Sequence, residues 1–567
     1  MTSQPSGEIT ATTAQRIGWA ILILATLYIC YFSHLGVIGF VGPDEPRYAW
    51  IARDMAETGD WVTPRLYGKP WFEKPVLYYW GAALSFKLFG VSEAAARLPS
   101  AISALLATFA LAWLAWRTYG EECARWLLLL LPTSVSMIGF SHAAATDMPF
   151  AGMLSIAMVW AAVALGLTQT EDTPILPRTP WMALILFGFF LGLAVLAKGP
   201  AAVILSGGVV FFSAVFTKRW RDALRLLHPA AVVSFCLTAF PWYILCAHRN
   251  PDFFRVFIIE HNFKRYLTPE FQHVQPFWFY IPILILGLFP WIAVLVPVAL
   301  DLTAIRHKPE SQQAILGFSG FWILFPLLFF SFSRSKLPGY ILPVFPPLAL
   351  LMSSRVNPII VSRKSRWTGM VMGLILIVTA FGIPYAVRLL NVGVEYGFSK
   401  EAKAGFYSAL LGGLCVMVLS FCRRLERGLQ VGQAVFLGLI YLGLAGSIGK
   451  ILDQKLSARF AVERYFATQQ YKKTQLHEPL EHPPLNGPFV YRLPRAYQYT
   501  LNFYFHRELP AWSGDPSADD VIFVSPRDLK IPSSVQLRCP RGDWFAVAVI
   551  PCETDHSLGR AGGRQPL

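Results

Sequence analysis

The sequence predicts an all-α, polytopic membrane protein of about thirteen transmembrane helices, followed by a small C-terminal α/β domain outside the membrane. Three observations carry this fold class. Hydrophobic residues make up 54% of the 567 and charged residues only 15%, against about 25% charged in an ordinary soluble domain. Apolar runs of membrane-crossing length recur through residue 449. Beyond Gly449 the chain turns polar and carries two strand-like pieces, Gly487–Arg492 and Asp520–Val524. The 41 Pro and 42 Gly lie inside or beside the apolar runs, where neighbouring helices re-satisfy the backbone, so they do not signal disorder.

Taken in order, Met1–Gln15 is polar. The apolar run Ile17–Phe40 is too long for a cleaved signal peptide and lacks a small-residue cleavage site, so it reads as the first span. Val76–Phe89 is too short to cross a bilayer and reads as interfacial or re-entrant. Further spans are expected at about 93–116, 123–141, 148–168, 181–197, 200–217, 226–247, 278–300, 314–332, 338–354, 367–390, 405–422 and 431–449. This gives a transmembrane unit, 1–449, with a long first loop over 41–92, and a tail, 450–567, read as an extracytoplasmic domain.

Orientation follows from Lys and Arg in short loops. With the N-terminus inside, the inner loops carry Lys218, Arg219, Arg221 and Arg225, then Arg306 and Lys308, then Arg363, Lys364 and Arg366, then Arg423, Arg424 and Arg427. The formal net charge is +15. Its spread over many short loops argues against nucleic acid as a partner and for membrane lipids or an anionic substrate. The eight Cys include no CxxC or zinc spacing. Cys539 and Cys552 could pair in an extracytoplasmic tail. No internal repeat is visible, which argues against an inverted-repeat transporter.

The unusual residues gather in the outer loops. In Val41–Pro75, Asp44 suits a helix N-cap and Pro46 its first turn, and Arg47 and Tyr48 follow at helical spacing. Glu45 adds nothing to a cap, so two adjacent carboxylates favour a site over a capped interfacial helix. Glu73 and Lys74 enter an apolar run, which is expensive without partners. Asp147 is the only acid for a long stretch and also suits a helix start. Lys198 interrupts an apolar run on a Gly-Pro turn and reads as a lone cation awaiting an anion. His261 could ligate a divalent metal, zinc or magnesium, with a first-loop carboxylate such as Glu73. Lys264 and Arg265 suit phosphate. Arg334, Lys336 and Tyr340 precede a Pro-rich, broken span. All of these fall on the outer side, as expected of one extracytoplasmic cavity in which acids supply a base and cations bind phosphate.

Six motifs, DEPRYAWIARDM, FEKPVLYYW, ATDMP, LAKGP, EHNFKRY and SKLPGYILPVFPPLALL, together resemble the aminoarabinose transferases that modify lipid A. More broadly the chain is similar to polyprenyl-phosphate-dependent GT-C glycosyltransferases, including protein O-mannosyltransferases. The likeness covers about residues 15–355; beyond them only the layout matches. It implies a GT-C fold with a periplasmic domain in a bacterial inner membrane. It also implies an undecaprenyl phosphate-linked sugar as donor, lipid A phosphate as acceptor, inversion at the anomeric centre and no nucleotide. The expected outcome is altered outer-membrane charge and resistance to polymyxin-like cationic peptides, by an enzyme expected to be a monomer.

By match to the motifs, Asp44 would be the general base or acceptor-positioning carboxylate, with Glu45, Arg47 and Tyr48 beside it. Asp147 would be the second acid and Tyr340 a cavity-lining tyrosine. Lys74 would hold the donor phosphate, aided by Arg265 and Lys198; Lys264 and Lys336 are further candidates to bind the donor phosphate or substrate, and Glu73 with His261 would hold the metal. Gly339 stands where the family has Thr, and Pro70–Trp71 where a Tyr is expected. These departures leave the sugar open between 4-amino-4-deoxy-L-arabinose and a hexosamine. Two other readings remain: a GT-C enzyme with a protein or other glycan acceptor, and a polyprenyl-sugar transporter, which predicts charges at mid-membrane depth.

Overall fold

The computed structural model describes residues 13–168, 181–264, 274–292, 294–295, 310–361, 370–371, 373–382, 400–419, 453, 457–459, 462–463, 465–466, 488–491, 493–512, 521–524 and 546–549. The chain divides into two compact units. One comprises Met1–Val37 and Tyr48–Gly449, the other Ile38–Arg47 and Lys450–Leu567.

In the first unit, five described helices are long and apolar enough to cross a membrane: Glu93–Tyr119 (α4), Asp147–Ala164 (α7), Trp181–Lys198 (α8), Pro229–Arg249 (α11) and a helix over Gln312–Phe332. A sixth candidate is the pair Glu121–Leu130 (α5) and Val135–Ser141 (α6), bent by 62°. The expected span 123–141 therefore breaks. At the break the Thr133 and Ser134 hydroxyls donate to the Leu129 and Leu131 carbonyls at 2.5 and 2.6 Å, competing with helical N–H groups. Ala201–Thr217 (α9) is apolar but shorter. It is followed by a single turn, Trp220–Ala223 (α10).

Three more expectations are revised. The run Ile17–Phe40 is not one helix: Thr13–Tyr31 (α1) ends in turns where the Ser33 hydroxyl takes the Ile29 carbonyl. The span 338–354 begins as a 3-10 turn, Pro338–Val344, because Pro338 and Pro343 bring no N–H donors; a helix, Phe345–Val361, follows. In 278–300 the helix Tyr280–Leu288 ends before Pro290. The expected span 431–449, half of 367–390 and the Cys539–Cys552 pair lie outside the described residues.

Small residues set the helix spacing. Gly188 and Gly192, one turn apart on α8, face α11 so closely that a Cβ would meet the Ala231 carbonyl oxygen at 2.1 Å and Thr238 Cβ at 2.7 Å. Without a hydrophobic drive between helices in lipid, such close backbone contact supplies packing energy. The first loop forms Asp44–Thr58 (α2), a two-stranded hairpin of Arg65–Leu66 (β1) and Lys69–Pro70 (β2), and Leu77–Phe89 (α3). Tyr78, Tyr79, Ala82, Ala83 and Phe86 of α3 are buried.

In the second unit, Phe489–Tyr491 (β3) pairs parallel with Val521–Val524 (β4), which pairs antiparallel with Ala546–Val549 (β5). The helix Arg495–Phe505 packs Leu501 into a core with Val490, Leu509 and Phe523. The polar tail thus holds the small α/β unit that its strand-like pieces predict.

Candidate active site

Asp147 opens α7 and Lys198 closes α8. Each charge sits at the helix end whose dipole favours it, negative at the N-terminus and positive at the C-terminus. Gly199, at φ +91°, turns the chain immediately after Lys198. Lys198 Nζ lies 2.5 Å from Asp147 Oδ1, with side chains 12% and 24% exposed. The ammonium also sits 4.9 Å from the centre of the Tyr340 ring and 5.4 Å from that of Phe150. Three residues far apart in sequence therefore meet, and Lys198 is not the lone cation expected from the sequence. Gly339 makes the approach possible: a Cβ there would lie 2.4 Å from Asp147 Oδ1 and 3.0 Å from the Phe140 ring.

The first loop docks on the end of α11. Asp60 Oδ1 accepts from the Val62 and Thr63 amides and from Arg249 Nη1 at 3.0 Å. Trp242 Nε1 donates to the Val62 carbonyl at 2.9 Å, and Asn250 Nδ2 to Thr63 Oγ1 at 3.1 Å. Below this seam Phe72, Trp242 and Phe253 pack edge-to-face. The docked loop forms a cavity of about 460 Å³ whose lining includes Trp71, Glu73, Asn250, Asp252, Arg255 and His261. Glu73 and Lys74 pair at 3.5 Å, both largely buried. His261 comes from a π-helix, Arg255–Lys264. Glu73 and His261 thus line one cavity. Among the described residues no cluster of three or more His, Cys, Asp or Glu is placed for a metal. The donor set is one carboxylate and one imidazole. Catalytic zinc sites use three protein ligands, so this pair would need a third donor.

In the second unit, Asp44 begins α2 and pairs with Arg47 one turn on. The Asp44 side chain is 52% exposed. The Arg47 guanidinium lies over the Tyr499 ring, 5.9 Å from its centre. Glu45 behaves differently from its neighbour. It is 8% exposed, and its Oε2 accepts from the Val41 amide at 2.8 Å. Its carboxylate fastens the turn before the helix. Tyr48 is buried, its ring packed on Tyr78 and Tyr79 at 6.1 and 5.8 Å in the first unit. Its side chain anchors α2 and does not share an open face with Asp44.

Lys336 is also structural. Its ammonium donates to the Ser333 and Gln275 carbonyls at 2.7 and 3.0 Å. Burial, and then the nearby Arg334 charge, push its pKa down. Lys264 is exposed at the end of the π-helix, and Arg265 lies outside the described residues. Sequence reasoning missed Arg255, Asp252 and Asn250, which line the cavity, and Tyr499, which meets Arg47. None stands in a distinctive spacing; their only signal is proximity, which needs the fold.

A family model described as dolichyl-phosphate-mannose-protein mannosyltransferase matches residues 18–257. An undecaprenyl phosphate-alpha-4-amino-4-deoxy-L-arabinose arabinosyl transferase of Serratia proteamaculans is 34% identical over 351 residues, 61% of each chain. The enzyme of that name from Yersinia enterocolitica is 31% identical over 426 residues, 74% of each chain. The chain belongs to the aminoarabinose transferase family. The match spans about three-fifths of the length of the Serratia relative. Likeness to a solved family structure runs further. The crystal structure of ArnT from Cupriavidus metallidurans bound to undecaprenyl phosphate superposes with a TM-score of 0.70 at 25% identity, over 95% of this chain and 98% of that one. Its apo form gives 0.72. The aminoarabinose transferase fold, GT-C, is thus the fold of this chain, a multi-pass membrane protein.

Proposed function

We propose that this protein is an inverting glycosyltransferase that moves an amino sugar from undecaprenyl phosphate to a phosphate of lipid A at the periplasmic face of the inner membrane. The sugar is 4-amino-4-deoxy-L-arabinose or a hexosamine. The observation that carries the reading is the acid–cation cluster Asp147, Lys198 and Tyr340 in a chain whose relatives are named arabinosyl transferases. Support for the donor comes from the lipid held by the Cupriavidus enzyme.

The chemistry is one displacement. An acceptor phosphate oxygen bonds to the anomeric carbon as the bond to the donor phosphate breaks, and undecaprenyl phosphate leaves with the electron pair. An ionised phosphate is already a nucleophile, so Asp44 need only position it or take a residual proton. The harder problem is bringing two anionic lipids together. Lys74, with Arg265, offsets that repulsion and stabilises the departing phosphate. Lys198, held by Asp147, adds positive charge in a site of low dielectric. Glu73 and His261 would hold a divalent metal, which would supply further positive charge to a phosphate oxygen.

Mass spectrometry of lipid A from cells with and without the gene tests this function. A loss equal to one amino sugar in the deletion supports it and gives the sugar's mass. An unchanged spectrum, with lost glycosylation of periplasmic proteins, would move the acceptor to protein, the reading favoured by the mannosyltransferase family match.

A further inference from the structure

The turn leading into α2 is gripped from the C-terminal part of its own unit. Gly39 N–H donates to Asp453 Oδ1 at 2.6 Å, and Asp453 is buried. The other Asp453 oxygen, Oδ2, takes Arg459 Nε at 2.9 Å and Nη2 at 2.6 Å. A carboxylate fixed by a two-pronged guanidinium makes a strong, directional acceptor for one amide. Gly39 fits without slack: a Cβ would lie 2.1 Å from Ser457 Oγ and 2.9 Å from both Arg459 Cβ and the Tyr504 hydroxyl. The next residue, Phe40, is fully buried and meets Phe503 edge-to-face at 4.7 Å. Five residues after Gly39 comes Asp44, whose partner Arg47 lies over Tyr499.

We propose that Asp453, braced by Arg459, is a positioning residue for Asp44, and that the C-terminal unit therefore takes part in transfer by setting the start of α2. Asp453 touches no substrate in this account; it acts through the Gly39 amide. The inference rests on reading Asp44 as the acceptor-side carboxylate. The chemistry demands such a brace because a carboxylate displaced by about 1 Å can lose on the order of a hundredfold in rate.

The test is steady-state transfer by the purified full-length protein, with donor and acceptor varied separately and rates normalised to folded enzyme. Asp453→Ala should lower kcat by about tenfold or more and leave donor KM within about twofold. Asp453→Asn keeps an oxygen for Gly39 N–H and should recover most of that loss. Gly39→Ala should reproduce the kcat defect, and the double variant with Asp453→Ala should be little worse than either alone. Wild-type kcat in folded Asp453→Ala, with Asp44→Asn inactive, would overturn the positioning role and leave the Asp44 reading standing. Loss in Asp453→Ala that vanishes on normalising to folded protein would overturn it equally. Full turnover by Asp44→Asn would instead remove the Asp44 reading itself.

Discussion

Lys198 Nζ and Asp147 Oδ1 stand 2.5 Å apart, at the facing ends of two packed helices and beside the Tyr340 ring. Each charge is mostly shielded from water, so each depends on the other. Removing one partner of such a pair strands a charge, at a cost of about 3 kcal/mol. Lys198→Met should lower thermal stability by that order and abolish transfer. Adding Asp147→Leu should restore most of the stability and none of the activity. Restored turnover in the double variant would show that the pair serves only folding.

Gly339 is the second expectation. A side chain there would press on Asp147, so Gly339→Ala should cost about 1–3 kcal/mol of stability by overpacking and lower turnover. A melting temperature and kcat equal to wild type would mean that the Pro338–Val344 turn shifts freely.

The adjacent carboxylates of α2 should behave oppositely. Glu45→Gln keeps an acceptor for the Val41 amide, so it should cost no more than about 1–2 kcal/mol of stability and leave most activity. Asp44→Asn should remove transfer from a protein of unchanged melting temperature, because Asp44 is half exposed. Equal losses in kcat for the two variants would contradict the division of roles.

Much of this was legible in the sequence. Composition and apolar run length indicate a polytopic membrane protein, and the order of six short motifs indicates the family. What stayed hidden depends on packing. Glu45 and Asp44 are chemically near-identical neighbours, and only the turn of α2 buries one and exposes the other. Tyr48 has the right spacing to join Asp44, yet two tyrosines of α3 claim its ring. Lys336 reads as a substrate cation but spends its donors on two carbonyls. The partnership of Lys198 with Asp147 spans about fifty residues, beyond the reach of any local spacing rule. Helix breaks were also underestimated, because Pro338, Pro343, Thr133 and Ser134 sit inside runs that hydropathy scores as continuous.

Lys74 should serve the donor. Lys74→Ala is expected to raise the donor KM by about tenfold, the loss of one charge-assisted contact, and the acceptor KM far less. A donor KM that does not move would remove Lys74 from the phosphate site.

Elemental analysis of the purified protein checks the metal reading. About one equivalent of zinc or another divalent ion, lost in both Glu73→Gln and His261→Ala, is the expected result. Metal-free wild-type protein with chelator-resistant activity would discard it.

The most direct measurement is transfer by the purified protein in defined lipid, with undecaprenyl phosphate-linked amino sugar and lipid A as the only substrates. Lipid A should gain the mass of one amino sugar with wild-type protein and gain nothing with Asp44→Asn. Unmodified lipid A with well-folded wild-type protein and intact donor would contradict the proposed function.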